Sequence, residues 1–172
     1  MFGRFAVLLG FLIATHVSHA QDREKLLGAW KLVSFEMEYQ ASGKRKFVYG
    51  EEPKGYIIFT SEGRMMTVIT GEGRKPAKTD ENRAALLRTM FAYTGIYRLE
   101  GDKIVAKVDA SWNEAFTGTE QVRFYKIDGN RLDIISAWGP EPDEPGRPIV
   151  RGILRWERTK WSVYECPILA AT

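Results

Sequence analysis

The side chains best suited to chemistry near neutral pH are scarce in this sequence. Both histidines, His16 and His19, fall within residues 1–20, a stretch that reads as a cleaved secretory signal. Without it the mature chain holds no imidazole, the commonest metal ligand and the one side chain with an unperturbed pKa near neutrality. That excludes Ser-His-Asp and Cys-His nucleophile systems, His-bearing zinc sites and the 2-His-1-carboxylate iron site. The single cysteine, Cys166, cannot close an intrachain disulfide. It reads as an inert thiol, with an intermolecular disulfide as the alternative. Phosphate-cradling glycine loops, Cys-x-x-Cys pairs and EF-hand loops are all absent. Asp109, Glu114, Glu120 and Asp133 are the candidate acid–base carboxylates, and each reads first as a solvated strand or loop residue. The sequence implies no metal site and no cofactor.

The signal reading rests on order. Arg4 gives a positive start, residues 5–15 an apolar run, and Ser18-His19-Ala20 the small residues at a cleavage site before Gln21. The run is too short for a spanning helix, which needs roughly 20 apolar residues, and no second run of that length follows. The expected mature chain is residues 21–172, one domain, exported to the periplasm or secreted. Losing Arg4 leaves 24 basic residues against 22 acidic ones. That balance argues against nucleic acid or an anionic membrane as partner.

The elements that must position any site are short apolar runs separated by glycine turns, the pattern of an all-β barrel. Strands are expected over 30–39, 45–49, 55–60, 64–70, 95–100, 103–111, 119–127, 131–137 and 149–157. Gly63, Gly101 and Gly129 supply tight hairpins between neighbours. The fold class is therefore all-β: an antiparallel up-and-down barrel of about eight or nine strands with one inserted α-helix. Period-two alternation puts Ile104, Ala106, Val108, Ala110 and Trp112 inside, with Lys107, Asp109 and Ser111 outside. By the same rule Val122 and Phe124 face in, and Gln121, Arg123 and Tyr125 face out.

The helix is expected over 80–93, with Asp80 and Glu81 at its start, Arg88 late, and Ala84, Leu87, Met90 and Phe91 on one stripe. It either plugs one barrel end, the usual role of such a stripe, or forms a movable lid. Residues 139–148 hold four prolines and read as a loop outside any ladder.

Residues 26–36 (LLGAWKLVSFE) and 55–64 (GYIIFTSEGR) resemble the opening of the bacterial lipocalin-like domain, a calycin-type barrel. The similarity continues through FAYTGIYRLEGD (91–102), GTEQVR (118–123) and LRWER (154–158), in the family's order. It implies that Trp30 of Gly28-Ala29-Trp30 plugs the closed end under Arg155 or Arg158, an indole–guanidinium pairing. The chain departs from the family where relatives carry histidines before the Ser-Trp segment, since this stretch reads Val105-Ala106-Lys107-Val108. Arg123-Phe124-Tyr125 resembles the carboxylate clamp of fatty-acid-binding barrels, although alternation places that face outside.

Phe59, Met66, Trp112, Phe124 and Trp138 are the candidate wall residues for a small apolar or amphipathic ligand held without covalent chemistry. Two alternatives stand beside this carrier. One is a cofactor-free cyclase or isomerase, in which one carboxylate or tyrosine moves a proton and which two carboxyls facing a closed pocket would favour. The other is a packed-barrel envelope interaction protein, which the lack of a cavity of roughly 300 Å³ or more would favour.

Overall fold

Ten strands form from these runs: β1 (Gly28–Tyr39), β2 (Arg45–Phe47), β3 (Lys54–Phe59), β4 (Arg64–Thr70), β5 (Met90–Glu100), β6 (Lys103–Ser111), β7 (Glu120–Asp128), β8 (Arg131–Ser136), β9 (Gly139–Pro140) and β10 (Ile149–Arg158). Helix α1 (Asp80–Arg88) lies between β4 and β5. The computed structural model describes residues 21–141 and 144–159. The signal reading over 1–20 and Cys166 fall outside the described residues.

Eight strands, β1, β3 to β8 and β10, close into an antiparallel barrel, with β10 returning to β1. The two short strands extend it: β2 pairs with the second half of β1, and β9 with the start of β10. Gly63, Gly101 and Gly129 turn three hairpins at one end with φ of 88°, 60° and 57°. The interior core runs from Leu26 and Trp30 through Phe59, Met65, Ile104 and Trp156.

Trp30 seals the hairpin end. It is fully buried, its Nε1 donates to Leu26 O at 2.8 Å, and the Arg158 guanidinium lies 4.1 Å over its ring. Of the two arginines that the sequence offers for this contact, Arg158 makes it. Its Nη1 also donates to Leu27 O at 2.7 Å, tying the last strand to the residues just before β1. Arg155 points outward to Glu36.

The outer wall is charged on one side and apolar on another. Across β1, β2 and β10, Glu38 pairs with Arg45 at 3.1 Å and Arg151 at 2.6 Å, while Glu36 pairs with Arg45 and Arg155. The Arg151 guanidinium, helped by Arg45, holds the Glu38 carboxyl below the usual carboxylate range. Over β3 and β4 the cross-strand pairs Tyr56–Val68 and Ile58–Met66 face solvent.

Three local expectations are corrected. The helix ends at Arg88, because Arg74 Nη1 donates to Leu86 O at 2.8 Å and Thr89 O at 2.7 Å, and Met90 to Tyr93 then join β5 against β4. Its N-cap is Thr79, whose hydroxyl accepts from Asn82 N at 3.3 Å. None of its residues is buried, so it does not plug the barrel. Gly139 and Pro140 do enter a ladder, opposite Val150 and Ile149, as an edge strand allows for proline.

The third correction concerns β6. A bulge between the Gly95–Val108 and Thr94–Ala110 pairs shifts the alternation, so Ile104, Ala106 and Val108 face in but Ala110 is exposed. Gly95 permits the close approach there, since a Cβ at this position would fall 2.1 Å from Lys107 O.

Two substitutions should therefore be costly. Trp30→Ala should lose about 3–5 kcal/mol, the usual range for truncating a buried Trp. Gly95→Ala should lose about 3 kcal/mol through displacement of the β6 backbone. Urea melts read both. A loss under about 1 kcal/mol, within the surface range, would mean that Trp30 is not a seal or that Gly95 is not required by the strand approach.

Candidate functional site

Between the sealed end and the opposite mouth the barrel keeps an interior cavity. Successive strands each give it alternate residues: Ile57 and Phe59 from β3, Met65 and Thr67 from β4, Phe91 and Tyr93 from β5, Ile104 and Ala106 from β6. Gln121 and Arg123 from β7, Ile134 from β8, and Leu154 and Trp156 from β10 complete the wall. The non-atom space, open solvent at the mouth included, is about 440 Å³, and only a small, narrow part of it is enclosed. At the mouth Phe91, Tyr93, Trp112 and Phe116 form an aromatic cluster, with Trp112 tilted 4.7 Å from Phe91 and edge-on 5.2 Å from Phe116.

The expected wall residues separate. Phe59 lies on the cavity wall, 1 % exposed and edge-on to Tyr97. Trp112 stands behind Phe91 rather than on the wall itself. Met66 faces solvent at 48 % exposure, and its neighbour Met65 takes the interior place. Phe124 lies on the outer face under the Lys103 ammonium, 5.5 Å from its ring centre. Trp138 is 39 % exposed and covered by the Arg151 guanidinium at 4.5 Å.

On β7 the expected faces are inverted. Gln121 and Arg123 stand opposite Ala106 and Ile104 in the ladder, and directly opposed residues share a face, so both point inward. Val122 and Phe124 are therefore outside. Register is set by the buried side of β6, and a slip of one residue exchanges every side chain of a strand. The two members of the Arg123/Tyr125 pair nonetheless do different things. Arg123 lines the cavity, whereas the Tyr125 hydroxyl lies within 3.4 Å of Asp22 and outside the cavity lining.

The polar groups of the cavity are few. Arg123 donates to Gln121 Oε1 at 3.0 Å and to Val122 O at 2.8 Å, and no described carboxylate pairs with it. Thr67 Oγ1 and Trp156 Nε1 are buried without hydrogen-bond partners among the described residues. Burial pushes the Tyr93 hydroxyl pKa up, although the nearby Arg123 charge pulls the other way. Among the described residues no carboxylate is on the wall. Asp109 pairs with Arg64, Glu120 with Arg98, Glu114 accepts from Thr117, and Asp133 stands opposite the outward Arg155. The wall is thus apolar with one cationic side chain, and among the described residues it brings no pair of acids together.

Several wall residues were hidden in the sequence. Met65-Met66-Thr67-Val68-Ile69 is apolar on both faces, so alternation cannot choose between its two methionines. Phe91 and Tyr93 were absorbed into the expected helix. Gly95 was the available signal that β5 and β6 approach too closely for regular alternation.

A family model for the lipocalin-like domain matches residues 27–159. No curated protein matches the chain.

The buried phenols predict an alkaline limit to stability. Burial raises the pKa of Tyr49, Tyr93 and Tyr97, and pushes Tyr125 up to about 12, with Asp22 adding to the effect. Folded values above the unfolded value of about 10 mean stability is complete below that pH and is lost as pH rises through the folded values. Urea midpoints should therefore fall between about pH 9 and pH 11, with phenolate absorbance from these tyrosines appearing late and together with unfolding. An unchanged midpoint, or early titration of all phenols, would contradict this.

Proposed function

The chain belongs to the lipocalin-like domain family, and from that premise we propose that its barrel binds a small, largely apolar ligand without covalent chemistry. One observation carries the reading: a cavity open at one end, walled by Ile57, Phe59, Met65, Phe91, Ile104 and Trp156. Burying apolar ligand surface against such a wall contributes roughly 25 cal/mol per Å². Thr67 Oγ1 and Trp156 Nε1, unpartnered in the protein, add support as groups able to orient a ligand. Only a small part of the space is enclosed, so a slim occupant, an acyl chain or a flat ring, must displace wall side chains to enter. Among the described residues no two carboxyls face the cavity, which favours carriage over the cyclase or isomerase alternative.

The same proposal places the protein outside the cytoplasm. Arg4, the apolar run over 5–15 and Ser18-His19-Ala20 support cleavage after Ala20, giving a periplasmic or secreted protein. Among the described residues no helix is long and apolar enough to cross a membrane.

Native mass spectrometry of protein purified from its own compartment should retain a small apolar molecule, and its intact mass should lack residues 1–20. Fatty acids titrated into the apo-protein should quench indole fluorescence saturably, because Trp156 is on the wall. Ala106→Leu, which fills wall space, should weaken binding about tenfold, while the outward Met66→Ala should leave it unchanged. Failure of every hydrophobic probe to bind below about 100 μM, roughly 5.5 kcal/mol, would instead favour the packed-barrel interaction protein.

A further inference from the structure

We infer that the ligand is an amphipathic anion, an apolar body carrying a carboxylate, with its acid group seated on Arg123. This rests on the reading of the barrel as a binding site and specifies the ligand class that site takes.

Five of the seven other strand arginines show what Arg123 lacks; of the remaining two, Arg158 stacks on Trp30 and Arg131 is exposed at a hairpin. Arg45, Arg64, Arg98, Arg151 and Arg155 all lie on the outer wall and all meet carboxylates. Arg123 is on the inner wall, in register with the buried Ile104, and donates only to an amide oxygen and a backbone carbonyl. A guanidinium has five N–H donors in a planar fork, so most of its capacity is left for an occupant. An uncompensated charge beside apolar walls is costly, and the group that relieves it best is a carboxylate, taken by two parallel charge-assisted hydrogen bonds.

The surroundings fit that occupant. Gln121 Oε1 accepts from Nη2 and so holds the guanidinium against the wall. The Tyr93 hydroxyl lies close enough to feel the Arg123 charge, and no described protein group bonds to it, so it is free to donate to an anion. Toward the sealed end the wall is Phe59, Met65, Ile57 and Trp156, which suits the apolar part. The fatty-acid-binding clamp is thus only half reproduced. Arg123 remains, Tyr125 is engaged with Asp22, and Tyr93 from β5 is the phenol that shares the cavity wall with Arg123.

Matched probes test this. Decanoate and decanol share one chain and differ in the head group, and both are titrated by indole fluorescence into wild type, Arg123→Met and Arg123→Lys. Wild type should prefer decanoate by about tenfold or more, the size of a charge-assisted pair. Arg123→Met should abolish the preference while keeping decanol binding, which also reports that the barrel is folded. Arg123→Lys should keep part of the preference, since charge remains but the fork is lost. Equal binding of the two probes to wild type, or a preference that survives Arg123→Met, overturns the assignment to Arg123 and leaves the apolar-ligand reading standing. Binding of neither probe to wild type below about 100 μM overturns both.

Discussion

Everything in this structure depends on one ladder, the pairing of β1 with β10 from Trp30–Arg158 to Tyr39–Val150. Without it the remaining strands are an open sheet with two unsatisfied edges and no enclosed volume. β1 pairs with β10 along one side, while its other side serves β3 first and β2 afterwards. A bulge between Leu32 and Ser34 lies where the partner changes, and a bulge bends a strand and increases its twist. The Arg158–Trp30 stack lies at the start of the same ladder, so the seam and the sealed end are one construction.

Charge is distributed with the same logic. Along the seam, Glu36 and Glu38 take three arginines between them on the outer face of β1, β2 and β10. Each such surface pair contributes little, but a linked set holds the two extra strand partners of β1 in place. The cavity wall has no counterpart: among the described residues its polar side chains are Thr67, Tyr93, Gln121, Arg123 and the Trp156 indole N–H, and no acid is among them. The seam thus pairs its outer charges with one another, while Arg123 on the inner wall has no carboxylate partner among the described residues.

The sequence revealed architecture more readily than the site, for a physical reason visible in two strands. β6 could be read because its core residues, Ile104, Ala106 and Val108, are apolar and Lys107 between them is charged. Reading failed beyond Val108, where a bulge depends on the neighbouring Gly95 and leaves no mark in the periodicity of β6 itself. β7 is inverted relative to its hydrophobicity because its register with β6, not the polarity of its own residues, sets which side faces the interior. There Gln121 and Arg123 point inward, and Phe124 is shielded outside by Lys103. Tyr93 and Phe91 were missed because a stripe of Ala84, Leu87, Met90 and Phe91 fits a helix locally, while pairing with β4 decides otherwise. Trp30 was legible because its position next to Gly28 is local, and its partner Arg158 lies in the recognisable LRWER run.

The closing ladder has a kinetic consequence. Because residues 30 and 158 must meet, closure carries the entropy of a loop spanning nearly the whole described chain. Hairpins such as β3–β4 and β5–β6 form from local contacts, but the barrel cannot shut until its last strand is synthesised. A chain still emerging from the ribosome therefore lacks both its seam and its Trp30 seal, and stays open and threadable. Late closure of this kind suits a protein moved through a membrane before it folds, as export behind a cleaved leader would require.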